Sequence, residues 1–274
     1  MTKDEKIKYC QLLLPKIALT WIVSIFANSK IKWLKNFIII NFIKKYGVNM
    51  SEALYSSPAY YASFNDFFIR HLLKEVRPFT PSDLISPVDG AISEAGNIKE
   101  GLLIQAKGKS YTLQSLLSSD EFNSFLNGYF ATFYLSPKDY HRIHMPVDGI
   151  AKKTTYIPGK LFSVQPATQR VIPNLFSQNE RVVIYFDTPQ GEMIMVLVGA
   201  VIVGKIATAW TGELTRSKTK KVLQHNPVFL KQGDEVGYFK LGSTVILLLT
   251  SAATKNQTLF MQPNSPVKVF QKLI

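Results

Sequence analysis

Gly242-Ser243 is the pair in this chain with the least ordinary chemistry. Glycine leaves its carbonyl open to approach, and the following hydroxyl can reach back to it. The peptide can then rearrange from amide to ester once a base removes the hydroxyl proton, with strain or desolvation assisting. The candidate partners are an acid and an imidazole. The acid is Asp89, bracketed by Pro and Gly in Ser86-Pro87-Val88-Asp89-Gly90, a turn that is by itself a sufficient reason for an Asp. The imidazoles are His141 and His144, within Pro137-Lys138-Asp139-Tyr140-His141-Arg142-Ile143-His144-Met145-Pro146 and two of the chain's four histidines. Acid, imidazole and hydroxyl are the groups of a serine-activating relay, and Asp, His, Ser is one of several chain orders that support it. On residue types alone, structural roles for the same side chains stay open. A zinc site would want more His, Cys or carboxylate ligands at short spacing, and none is evident, so no metal is expected.

The elements that must position these groups are legible in outline. The chain has 274 residues, 46% of them hydrophobic and 19% charged, enough for a sizeable core. From residue 79 onward, short alternating runs punctuated by Gly and Pro predict a β-rich body, with strands at 91–93, 102–106, 128–135, 182–186, 193–203 and 245–249. Ser243 stands at the entry to the last of these. Residues 111–125 read as one or two short helices, and 218–221 as an exposed basic loop. Ahead of this body, 51–73 reads as helix, with Phe64, Phe67 and Phe68 spaced for a core face. The expected fold class is α+β: a β-rich catalytic domain over 51–274, preceded by N-terminal amphipathic, membrane-associating helices over 1–50.

That N-terminal region carries its own signal. The apolar run 17–27 is bounded by Lys16 and Lys30, too short for a bilayer span of about 20 residues, and no small-residue cleavage site of a secretory signal follows it. Over 31–45 Trp33, Phe37, Phe42 and several Ile alternate with lysines before Gly47, a candidate C-cap. Such segments suit the headgroup layer of an anionic membrane, and packing on the protein's own core is the competing reading. The charge agrees with a polyanionic partner: 32 Lys+Arg against 19 Asp+Glu gives +13. No stacking platform or basic-helix motif for nucleic acid is found. The single cysteine, Cys10, excludes an intrachain disulfide.

The step Leu241-Gly242-Ser243-Thr244, with Phe239 ahead and the apolar strand behind, resembles the self-cleavage site of the pyruvoyl-dependent phosphatidylserine decarboxylases. Further blocks occur in that family's order: Ser86-Pro87-Val88-Asp89-Gly90, the stretch 139–146, and the stretches 158–164, 174–182 and 198–204. The segment 64–70, followed by Arg77-Pro78, is similar to one the family carries ahead of its catalytic body. The resemblance implies cleavage between Gly242 and Ser243 into a larger β subunit, 1–242, and a smaller α subunit, 243–274, held together as a heterodimer. It implies that Ser243 becomes a covalent pyruvoyl group, the only cofactor. It assigns Asp89, His144 and Ser243 to the cleavage relay and His141 to decarboxylation as general acid. The implied reaction is that of a carboxy-lyase converting phosphatidylserine to phosphatidylethanolamine and CO2. The implied setting is peripheral, on the cytoplasmic face of the cell membrane, with processed protomers paired as homodimers. Two alternatives stand beside it. A pyruvoyl decarboxylase of a soluble amino acid would have little use for Trp21, Trp33 and their lysines, and a membrane-surface binding module would leave the chain uncut.

Overall fold

The computed structural model describes residues 1–106, 108–201, 205–241, 243–254 and 261–273. Three helices open the chain: α1 (Lys3–Leu13), α2 (Lys16–Ala27) and α3 (Lys32–Tyr46). Thr2 starts α1 with a capping box, its hydroxyl accepting from the Glu5 N–H while the Glu5 carboxylate accepts from the Thr2 N–H. Pro15 lies between α1 and α2, which are bent by 77°. Gly47 ends α3 in the left-handed conformation, φ +66°, as its C-cap position requires. Ile17, Trp21, Phe26, Trp33 and Phe37 face outward. The inner sides, through Ala27 and Ile39, pack with Tyr61, Phe64, Phe67, Phe68 and Leu241 as a cluster of their own.

Residues 51–73 differ from the continuous helix their spacing predicts. Met50–Glu52 and Pro58–Tyr60 are single 3₁₀ turns, and α-helix is confined to α4 (Phe64–Phe68). The cause is local. Asn49, Ser57 and Ser63 each accept a backbone N–H two or three residues on, and every such bond restarts the chain. Phe64, Phe67 and Phe68 are nevertheless buried together, as their spacing suggests.

The body is built from β1 (Gly90–Asn97), β2 (Leu102–Ala106), β3 (Lys109–Thr112), β4 (Tyr129–Leu135), β5 (Arg142–His144), β6 (Gly149–Ile157), β7 (Arg181–Thr188) and β8 (Gly191–Gly199). It continues through β9 (Lys205–Thr208), β10 (Gly212–Glu213), β11 (Lys221–Leu223), β12 (Val228–Leu230), β13 (Glu235–Lys240), β14 (Ser243–Leu249) and β15 (Pro266–Val267). Among the described residues the main sheet runs β11-β6-β7-β8-β14-β4-β1-β15, with β12 also on β6. A smaller sheet runs β10-β9-β13-β5, and β2 and β3 form a two-stranded ribbon.

β14 is interior to the main sheet, and all seven of its residues are buried. Its alternation explains the two cores. Val245, Leu247 and Leu249 join Phe133, Met195 and Leu197 on one face, while Ile246 and Leu248 join Ile194, Val196 and Val198 on the other. The first face is covered by the smaller sheet through Ile143, Ile206 and Phe239. The second is covered by the β2–β3 hairpin with α5 (Leu113–Leu117), α6 (Pro166–Val171) and α7 (Leu175–Gln178). Ser243 is in phase with Val245, so it shares the face that carries β5 and the histidines.

Candidate active site

Asp89 lies in the bend that leads into β1. Gly90 follows it with φ +153° and sits directly against the Tyr134 carbonyl, where any Cβ would collide with β4. The Asp89 carboxylate is buried. Its Oδ1 accepts from Arg77 Nε at 3.1 Å and from the Val269 N–H at 2.8 Å, and its Oδ2 accepts from Arg77 Nη2 at 2.5 Å. Arg77 also reaches Glu52 at 2.7 Å. Burial works to lower the Arg77 pKa, but the bonds to Asp89 and Glu52 outweigh it and hold the guanidinium above its ordinary value.

His144 ends β5, and its N–H donates to the Pro87 carbonyl at 2.9 Å, so the Asp89 bend and the histidine strand run side by side. Its ring packs between Tyr140, stacked at 5.7 Å, and Phe270, edge-on at 4.9 Å. Nδ1 is 2.8 Å from the Gly233 carbonyl, which can only accept, so Nδ1 carries the proton. Nε2 therefore holds the lone pair, and Tyr140 Oη donates to it at 3.0 Å. Burial lowers the His144 pKa and keeps the ring neutral.

His141 precedes β5 and is wholly buried, 4.1 Å from the Phe68 ring. Its Nδ1–H donates to the Asp139 carbonyl at 2.9 Å by the same logic, and its Nε2 is left without a partner. Burial pushes its pKa down to about 3.

Ser243 Oγ is likewise buried and unpartnered. Two residues earlier Leu241 adopts φ +75°, a conformation costing a non-glycine residue roughly 1–3 kcal/mol. Its side chain is locked among Phe64, Phe67 and Phe68, which holds the backbone there. Gly242, the other half of the expected cleavage site, lies outside the described residues.

The sheet register brings these pieces to one end of the molecule. Ala91 and Thr244 flank Tyr134 from opposite sides, two strand spacings or roughly 10 Å apart. Asp89, His144 and Ser243 thus sit around the same edge of β4, beside β5. Among the described residues none of the three hydrogen-bonds another: Asp89 is held by Arg77, Val269 and, at 3.5 Å, Lys268, and His144 by Gly233 and Tyr140. No group of three His, Cys, Asp or Glu among them could hold a metal ion. Residue types did not disclose Arg77 as the partner of Asp89, Tyr140 as the partner of His144, or Phe68 under His141. All three stand inside stretches that drew attention for other reasons. Gly233 and Phe270 carried no signal in the sequence.

The phosphatidylserine decarboxylase family model matches residues 64–274, and a second model, described as PSD, matches residues 9–47. The chain is 55% identical over 247 residues to a phosphatidylserine decarboxylase proenzyme of Legionella pneumophila (strain Philadelphia 1), covering 88% of this chain and 87% of that protein. It is 46% identical over 265 residues to a protein of the same name from Idiomarina loihiensis, covering 92% and 91%. A third, from Shewanella amazonensis, is 44% identical over 279 residues, covering 97% of each. The family-model match takes in the Asp89 bend, the histidine strand and β14, and together with relatives of this identity and coverage it places the chain in the phosphatidylserine decarboxylase family.

Proposed function

We propose that this chain is a proenzyme that cuts itself at Gly242-Ser243 and then, as a carboxy-lyase, converts phosphatidylserine to phosphatidylethanolamine and CO2. The observation that carries this reading is the unpartnered, buried Ser243 Oγ two residues beyond the strained Leu241. Buried hydroxyls normally find a partner, and one left bare at a strained step suits a residue whose hydroxyl is consumed in forming a prosthetic group. Ser243 therefore fits as the origin of a covalent pyruvoyl group.

In the proposed cleavage, His144 Nε2 exchanges the Tyr140 hydroxyl for Ser243 Oγ and takes its proton. Oγ attacks the Gly242 carbonyl carbon, the C–N bond breaks, and the departing nitrogen receives the proton from His144, leaving an ester. Asp89 acts on His144 through its charge, which favours the imidazolium form, while the Gly233 carbonyl fixes the tautomer. Relief of the Leu241 strain runs in the same direction as the cut. When formed, the pyruvoyl group supplies the electron sink for loss of CO2. His141 is assigned the proton delivered to the substrate carbon. It is neutral in the uncut chain, and an anionic substrate entering beside it lowers the cost of charging its ring. The products of the cut, 1–242 and 243–274, stay together as two subunits.

The outward Trp21, Trp33, Ile17 and Phe37 beside lysines support binding at the surface of an anionic leaflet, which we assign to the cytoplasmic side. Among the described residues no single helix is long and apolar enough to cross a membrane. Denaturing mass spectrometry together with CO2 release from phosphatidylserine vesicles tests the whole reading. The expected result is two fragments, the smaller beginning with a ketone instead of an amine, and CO2 release from the wild type, with an intact and inactive chain for Ser243→Ala. An uncut wild type that releases CO2, or an active Ser243→Ala chain, would overturn it.

A further inference from the structure

Three arginines are buried among the described residues, and they are treated differently. Every guanidinium nitrogen of Arg181 donates to a backbone carbonyl, of Ser115, Leu116, Ser177 or Asn179. Every nitrogen of Arg77 also has an acceptor. Arg70, only 4% exposed, places Nη2 on the Lys138 and Asp139 carbonyls at 2.8 and 3.4 Å and lies over the Phe67 ring at 5.4 Å, while Nε and Nη1 have no hydrogen-bond partner. A buried cation with open N–H groups is expensive unless a ligand completes it.

Arg70 lines a cavity of about 130 Å³ that also takes in Lys138 and Lys268. Three carboxylates border it, and each is already engaged. Asp89 is held by Arg77, Val269 and Lys268, Glu52 by Arg77 and Asn49, and Asp139 by the N–H and hydroxyl of Ser136. Lys268 Nζ lies 3.5 Å from Asp89 Oδ2, so among the described lining residues the cations with no carboxylate bonded to them are Arg70 and Lys138. Its position is also informative. The Asp139 carbonyl accepts from both Arg70 and His141, so one peptide group sets this cation beside the histidine assigned to protonation. Gly47, at the end of the membrane-facing α3, lines the cavity.

We propose that Arg70, with Lys138 beside it, anchors the phosphodiester of the substrate headgroup. This rests on the decarboxylase reading and deepens it. The headgroup of phosphatidylserine offers two anions. The carboxylate must give up its charge as CO2 leaves, and a guanidinium on it would hold the ground state and oppose the reaction. The phosphodiester keeps its charge throughout, so binding it stabilises ground and transition states alike. Arg70 is thus a positioning residue whose loss raises KM more than it lowers kcat.

The test uses calorimetric binding to the uncut Ser243→Ala chain, with glycerophosphoserine, glycerophosphoethanolamine and free serine as probes. Both phosphodiesters are expected to bind with similar Kd and serine not to bind. Arg70→Gln should weaken both at least tenfold, with partial recovery in Arg70→Lys, and in the processed enzyme it should raise KM at least tenfold while kcat falls less than threefold. If Arg70→Gln does not fold, Arg70→Lys decides by the same ratios. Binding of glycerophosphoserine and serine without glycerophosphoethanolamine would put the carboxylate on Arg70 and overturn the proposal, as would undiminished binding in the Arg70 variants. A wild type that releases no CO2 while its Ser243→Ala form still binds both phosphodiesters through Arg70 would sink the decarboxylase reading and leave the anchor standing. The converse result would remove the anchor alone.

Discussion

At the scale of the residue, His141 shows how burial sets chemistry. Its ordinary pKa is near 6.5, and the apolar surroundings push it to about 3. Between those values the unfolded chain binds a proton that the folded chain refuses. Stability is therefore full above about pH 6.5 and falls as the pH drops, by up to about 1.4 kcal/mol per pH unit from this group alone. His144 is shifted in the same direction and adds to the slope. In the Ser243→Ala background, urea unfolding between pH 6 and 4 should show a shallower pH slope for His141→Gln, by about one proton. In the Ser243 chain the same substitution should leave self-cleavage intact and reduce turnover by roughly 10²- to 10⁴-fold. An unchanged slope would mean that His141 is solvated, and lost cleavage would move it into the cleavage step. The four proposed site residues stand out in the sequence because each sits in a short, distinctive block. Their partners do not, since Asp89 meets Val269 and His144 meets Gly233 only after some 90 to 180 residues of intervening chain have folded.

At the scale of the element, the long central strands were legible because a continuous apolar run, buried on both faces of the sheet, is written directly into residues such as 245–249 and 193–199. The short members of the smaller sheet were not. β5 and β13 hold three and six residues, and the register of β13 on β5 shifts between Glu235 and Gly237, which breaks the alternation. β5 carries His144, and β13 pairs beside it with Glu235 opposite the histidine. Gly90 tests how tightly β1 must seat. A methyl group there would force β1 off the Tyr134 carbonyl and move the Asp89 bend with it. Gly90→Ala is expected to cost about 2 kcal/mol or more in urea unfolding and to slow cleavage markedly on a time course. Normal cleavage by a destabilised Gly90→Ala protein would show that Asp89 need not be held there.

At the scale of the whole molecule, the +13 charge and the apolar outer side of α2 and α3 predict salt-sensitive membrane binding. Trp21 and Trp33 are 66% and 71% exposed. Each would bury roughly 100 Å² in a lipid interface, worth about 2.5 kcal/mol. The Trp21→Ala, Trp33→Ala double variant should therefore lose at least tenfold in flotation with anionic vesicles, while its cleavage is unaffected. Equal flotation would place the membrane contact elsewhere. The interior position of β14 has one more consequence, for the life history of the protein. Cleavage before Ser243 would assign β14 and β15 to a fragment whose longest strand is buried on both faces and paired along its whole length with β4 and β8. Scission can thus follow assembly but cannot precede it. A processed molecule that unfolds faces a two-body search with an aggregation-prone strand in place of the one-chain search that built it. If the chain is cut there, manufacture is a one-way street, and how long each molecule works is set by its rate of unfolding, not by its equilibrium stability.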